Sequence, residues 1–285
     1  MNQSGTSLAT RRALEPGVPL PHRRSVRTRR QELEIKLATL QKDYAELHTA
    51  IFEAAQVHRR LCAPRLVRYG NFEIASEIFA VRHLPGDFFT IEETNSGVLL
   101  ALGDICGKGL AAGMWTTHLV GLVGTHATVT CEPESIVAGV NRDVCRMTSV
   151  PLASLFLARL DPISGRLDYC SAGHPPAFLL RANGKLESLS DGGLLLGVLP
   201  DAAYMSGSVE FDRGDVLLLY SDGLIESVNE TGEEFGMARL REHLRRTHNA
   251  SADAMLFSLL GAVQDFAATR SLVDDMSLVI VGRGQ

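Results

Sequence analysis

The sequence predicts an α+β protein in which two antiparallel β-sheets are sandwiched by α-helices, preceded by a long N-terminal helix. Three observations lead there. Short apolar runs parted by turn residues come in groups, helical patterns come in pairs between those groups, and a heptad-spaced segment stands ahead of both. At 285 residues, with 45% apolar and 21% charged residues, the chain can bury a large core.

Residues 1–30 carry seven Arg against a single acid, Glu15, a net of +6 that leaves −11 for the rest of a chain of net charge −5. With Pro16, Pro19 and Pro21 and little apolar periodicity, this segment reads as a disordered basic arm rather than a nucleic-acid-binding one. From 31 to 62 the pattern changes. Leu33, Leu37, Leu40, Tyr44, Leu47, Ile51, Ala54, His58 and Leu61 recur at alternating spacings of four and three, without Gly or Pro between them. That predicts one long helix with a narrow seam, suited either to a parallel homodimer or to packing on the body of its own chain; His58 is the weak position.

Pro64 ends the helix, and a globular domain is expected over 63–285. Residues 72–82 alternate as a strand does, 98–102 form a short buried strand, and 110–126 and 133–147 read as helices. Strands follow at 155–160, 166–170, 177–181 and 186–189, separated by Gly165, Gly173-His174-Pro175-Pro176 and the hairpin signal Asn183-Gly184. Residues 216–220 make a continuous apolar run, helices are expected near 236–247 and 252–268, and 276–281 closes the chain as a strand.

No run approaches the roughly 20 apolar residues of a membrane helix, and the N-terminus lacks the apolar stretch of a secretion signal, so a cytoplasmic location is expected. The cysteines Cys62, Cys106, Cys131, Cys145 and Cys170 are odd in number, widely spaced and form no C-x-x-C pair, which argues against a cysteine zinc site and a disulfide framework.

Four acidic positions share a setting beside apolar runs: Asp87, Asp104, Asp222 and the pair Asp274-Asp275. Asp-Gly and Gly-Asp are ordinary turn formers, so each alone means little. Together they pose an electrostatic question, because a carboxylate beside a buried strand is costly without a cation, and no Lys or Arg recurs next to the four in sequence. Hard divalent cations take such oxygen ligands, and two ions about 3.5–4 Å apart hydrolyse phosphate esters.

Read in order, these positions resemble a known family. Pro85-Gly86-Asp87-Phe88-Phe89, Gly103-Asp104-Ile105-Cys106-Gly107-Lys108-Gly109, the Ser-Ala-Gly-His-Pro-Pro run of 171–176, the Gly-Val-Leu-Pro-Asp run of 197–201, the segment 214–223 ending in Ser221-Asp222-Gly223, and the Asp-Asp-Met-Ser-Leu run of 274–278 are similar to the motifs of the bacterial SpoIIE/RsbU-type phosphatases of the metal-dependent PPM class, over roughly residues 50–282. The resemblance implies a PPM fold with two Mn2+ or Mg2+ ions between the sheets' ends. It implies removal of phosphate from phosphoserine or phosphothreonine on a small regulatory protein, of the STAS type that antagonises anti-sigma factors. Asp104 is implied as the carboxylate shared by both ions with the Ile105 carbonyl adjoining, Asp222 and Asp274 as ligands of one ion, Asp87 of the other, and Asp275 as a further candidate ligand. Thr90 departs from the motif, where many relatives have Asp.

On this reading a hydroxide generated from a metal-bridging water attacks phosphorus, and no protein nucleophile is needed. Cys106, beside Asp104, is expected to be a small packing residue whose thiolate is disfavoured. His174 is either a proton donor to the leaving group or a structural turn residue. Two rival functions remain. One is a non-catalytic phosphoprotein-binding module. The other is a nucleotide-binding oxidoreductase, suggested by Gly107, Gly109 and Ala112 in a G-x-G-x-x-A pattern, but Asp104 would repel a pyrophosphate there.

Overall fold

The computed structural model describes residues 23–61 and 64–284. Residues 1–22 of the basic arm and Cys62 lie outside the described residues.

The chain divides into two units, at Ala50/Ile51. Helix α1 runs from Arg23 to Leu61, beginning inside the segment read as a disordered arm. The reason is compositional: between Pro21 and Pro64 there is neither Pro nor Gly, and Arg is a good helix former. The seam side chains of the first unit are open to solvent, with Leu33, Leu37, Leu40, Tyr44 and Leu47 between 56% and 67% exposed. In the second unit the residue that weakens the heptad pattern is the one that packs. His58 is buried, its Nε2 2.8 Å from Thr116 Oγ1.

Beyond α1 the second unit is built of β1 (Leu66–Tyr69), β2 (Phe72–Phe79), β3 (Asp87–Thr94), β4 (Gly97–Ile105), α2 (Leu110–Ala127), α3 (Pro133–Arg146), β5 (Ala153–Leu160), β6 (Arg166–Ala172), β7 (Ala177–Leu180), β8 (Leu186–Leu189), β9 (Gly192–Gly193), β10 (Gly207–Glu210), β11 (Val216–Tyr220), α4 (Asp222–Ile225), α5 (Gly236–Arg246), α6 (Ala252–Ala267) and β12 (Met276–Arg283). One sheet has the antiparallel order β1-β2-β12-β11-β7-β8. The other has the order β10-β6-β5-β4-β3, with the short β9 parallel to β6.

The period of two explains the layers. In β4, Leu100 and Leu102 point between the sheets, where they meet Phe72, Ile74, Leu217, Leu219, Val279 and Val281 of the facing sheet. Leu99 and Ala101 point the other way, onto α2 and α3 through Leu119, Val123, Val137 and Val140. The outer face of the first sheet is covered likewise by α5 and α6, with Leu218, Tyr220 and Ile280 against Leu240, Met255 and Leu259. Strands buried on both faces read as continuous apolar runs, which is why 98–102 and 216–220 show no alternation. Two sheets between two pairs of helices is the architecture expected.

The strand β3 itself escaped the sequence pattern, since its buried start and exposed end form no single periodicity. The hairpin signal is fulfilled: Arg181 N donates to Lys185 O at 2.8 Å and Lys185 N to Asn183 Oδ1 at 2.9 Å, closing β7 onto β8.

Candidate metal centre

The acidic positions meet because four strand ends coincide. Asp87 opens β3 and Asp104 lies near the end of β4, and antiparallel register sets the two opposite each other. On the facing sheet, β11 ends at Tyr220 immediately before Ser221 and Asp222, while β12 starts at Met276 immediately after Asp274 and Asp275. Pairing of Tyr220 with Leu278 brings those two ends together.

Hydrogen bonds tie the two sheets at this end. Ser221 Oγ donates to Asp87 Oδ2 at 2.6 Å and accepts from Ser277 N at 2.9 Å. Asp275 Oδ1 accepts from Val81 N and Oδ2 from Gly86 N, both at 2.7 Å. Asp275 is thus engaged in fixing the loop before Asp87, and its carboxylate has little left for a metal. Gly86 is required by close approach. A Cβ there would stand 2.8 Å from the Gly107 carbonyl oxygen, 3.1 Å from that of Ile105 and 3.2 Å from Asp104 Oδ1. The Ile105 carbonyl and the Asp104 carboxylate therefore converge over a position kept free of a side chain.

The electrostatics are those of crowded carboxylates. Burial first, and Asp104 second, push the Asp87 carboxyl well above its ordinary range. Burial pushes Asp104 up to about 7, with Asp222 and Asp274 adding to it. Asp222 is raised by burial and by Asp274. Among the described residues, no three His, Cys, Asp or Glu side chains close into a complete ligand set. Asp275 accepts from backbone amides, and Asp274 meets Lys108, whose Nζ lies 2.7 Å from its Oδ2. The donor set still fits a hard divalent cation. All the donors are oxygen, and the charge that raises Asp104 and Asp222 is the charge a dication offsets.

Two sequence expectations need correction, and an alternative left open at His174 is narrowed. A cation does answer one of the four acidic sites, because the turn after β4 carries Lys108 across to Asp274, a contact distant in sequence. Cys106 is exposed rather than packed in the core, although burial of its thiol and the nearby Asp104 and Asp222 do push its pKa up, against a reactive thiolate. His174 is buried, bonded through Nδ1 to Ser154 Oγ at 2.8 Å, and burial lowers it to about 3. A neutral imidazole is a poor proton donor to a leaving alkoxide, so the geometry favours the turn reading. Ser154 Oγ also accepts from Asp104 N at 3.3 Å, so His174 supports the strand end that carries Asp104. Ser221 was missed altogether. Its signal was available: it is the residue between a strand run and Asp222, where an N-cap belongs.

Two face-to-face sheets flanked by helices, with carboxylates gathered where strand ends meet, define the PPM class of phosphatases, also called PP2C. The SiaA-PP2C domain of Pseudomonas aeruginosa superposes with a TM-score of 0.74 at 17% identity, over 86% of this chain and 98% of that one. Within that class the chain belongs to the SpoIIE family, whose sequence model, Stage II sporulation protein E, matches residues 94–284. Phosphoserine phosphatase RsbU of Bacillus subtilis is 24% identical over 250 residues, covering 86% of this chain and 73% of that protein. Protein IcfG of Synechocystis sp. is 26% identical over 214 residues, 65% of this chain, but the match spans only 34% of that longer protein.

Proposed function

We propose that this phosphoprotein phosphatase removes phosphate from phosphoserine or phosphothreonine of a small regulatory protein, of STAS type, using two divalent ions held by Asp87, Asp104, Asp222, Asp274 and the Ile105 carbonyl. The observation that carries the reading is the convergence of carboxylates from four separate segments on one end of the two sheets, where burial alone would forbid them. The STAS substrate rests on the motif resemblance, and the phosphoserine chemistry is that for which RsbU is named.

When bound, a pair of Mn2+ or Mg2+ ions supplies an activated water for in-line attack and offsets charge on the phosphoryl oxygens. The chain's own residues do the rest. Asp104 faces Asp87 across the strand pair and feels the charge of Asp222 and Asp274, which supports reading it as a carboxylate that both ions would share. Ser221 orients Asp87 by donating to its Oδ2. Asp275 locks the Gly86 turn that presents Asp87, and serves as a positioning residue rather than a ligand. No side chain need act as nucleophile, in agreement with the raised Cys106 thiol and the neutral His174. The exposed side chains Leu33, Leu37, Leu40, Tyr44 and Leu47 support a homodimer through residues 31–62, whereas His58, buried against Thr116, belongs with the domain expected from 63 rather than with a linker ahead of it.

Release of inorganic phosphate from an aryl phosphate and from a panel of phosphorylated STAS proteins, with and without Mn2+, tests this. Metal-dependent turnover of the aryl phosphate and of at least one STAS protein is expected. No metal-dependent release from any of them would leave the non-catalytic binding module as the better reading. Turnover of the aryl phosphate alone would refute the substrate class while keeping the enzyme.

A further inference from the structure

The turn between β4 and α2 carries a cation into the acidic end of the molecule. Lys108 Nζ lies 2.7 Å from Asp274 Oδ2 and 3.0 Å from the Val273 carbonyl oxygen, so it bridges from the Asp104 loop to the segment that precedes β12. Its field extends beyond this pair: it opposes the rise that burial imposes on Asp222 and on Glu226. An ammonium thus neutralises part of the same carboxylate cluster that a dication would neutralise, and it does so on an oxygen of a proposed metal ligand.

We propose that Lys108 is a built-in counter-cation of the metal-free site, which occupies Asp274 until a divalent ion displaces it and thereby sets how tightly that ion binds. The inference rests on the metal-centre reading given above. A dication and an ammonium on the same oxygen repel each other, so engagement of Asp274 Oδ2 by a metal weakens the Lys108 contact and favours its release. The contact is of a kind that breaks readily. Both side chains are about one-third exposed, at 34% and 35%, and an ion pair so open to water is weakly held. The residue type suits exchange as well, since a lysine is a point charge on a flexible stem and, unlike arginine, does not lock a carboxylate in a planar fork. The pair sets one positive charge against the repulsion among Asp104, Asp222 and Asp274 in the metal-free chain.

The opposing possibility is that the pair is a latch which holds Asp274 in place for the metal, and the two make opposite predictions for affinity. Titration calorimetry with Mn2+ on the full chain decides between them, using the parent, Lys108→Met, Lys108→Arg and, as a control on the site, Asp104→Asn. As a counter-cation, Lys108 removed in Lys108→Met leaves Mn2+ binding about two- to fivefold tighter. Lys108→Arg, which keeps the charge, binds no tighter than the parent. In the parent, acetylation of Lys108 read by mass spectrometry rises on addition of Mn2+, because the freed amine becomes accessible. Equal or weaker binding in Lys108→Met, with Asp104-dependent binding in the parent, overturns this inference alone. A parent that takes up no Mn2+, or one whose uptake is unaffected by Asp104→Asn, overturns the metal-centre reading and this inference with it.

Discussion

Asp104 is the side chain on which the acidic end converges, because it faces Asp87 through strand register and feels Asp222 and Asp274 from the opposite sheet. Asp104→Asn is near-isosteric and removes one charge, so a folded protein with turnover reduced at least about a hundredfold is expected, a shared ligand having been lost from both ions. Parent-like rates at saturating Mn2+ would remove Asp104 from the site. Cys106 offers the contrasting case. It is exposed beside the cluster with its thiol held protonated, and Cys106→Ser should keep most of the activity; trapping of a phosphocysteine by rapid quench would instead identify it as a nucleophile.

At the scale of elements, the site depends on how closely α4 and the start of β12 approach. Gly223 is the second residue of α4, just after Asp222, and a Cβ added there would stand 2.0 Å from the backbone carbonyl oxygen of Asp275. Gly223→Ala should therefore lower stability by about 1–3 kcal/mol, the range of overpacking strain, and should weaken activity more than an alanine elsewhere on the surface, because the shift moves Asp222. Thermal melts and rates measured on the same preparation check it; a protein unchanged in both would show that the two segments can part without cost. Helix α1 poses the other question at this scale. Leucines exposed at heptad spacing each stand to gain about 1.5–3 kcal/mol on full burial, so the Leu40→Ser, Leu47→Ser double substitution should convert a dimer to a monomer. Light scattering on the parent at high micromolar concentration settles the premise, since a monomeric parent ends the proposal.

For the molecule as a whole, the carboxylate cluster links stability to pH. Asp104 in the folded, metal-free chain is pushed up to about 7 from an ordinary 3.8, so the folded state holds its proton more tightly than the unfolded state does. The stability this confers is fully present below about pH 4 and is lost as pH rises through 7. The histidines His58, His174 and His243, all lowered by burial, act in the opposite direction over part of this window, so a bare melting curve mixes the two. Comparison with Asp104→Asn cancels the histidines. Without metal, the melting temperature of the parent should fall relative to that variant between pH 4 and pH 8, and Mn2+ should restore it at pH 8 by binding the native state. A constant difference across the range would mean that Asp104 is ionised throughout.

Most of the architecture was legible in the sequence because it follows from local pattern: continuous apolar runs for strands covered on both faces, Asn183-Gly184 for a hairpin, and paired helical segments between groups of strands. The acidic positions were legible for the same reason, since each stands where an apolar run stops, and the ordered motifs named their family. What tertiary structure alone decided was pairing across the sheets. The contact of Lys108 with Asp274 joins residues 166 apart, and that of Ser221 with Asp87 joins residues 134 apart, so no periodicity announces either. The fates of neighbouring carboxylates diverge likewise: Asp274 faces the cluster while Asp275 is consumed by the amides of Val81 and Gly86. Sequence sets which residues lie at a strand's end, but the direction of the chain around that end sets which oxygen meets a backbone amide and which remains for a cation, and that depends on elements far away along the chain.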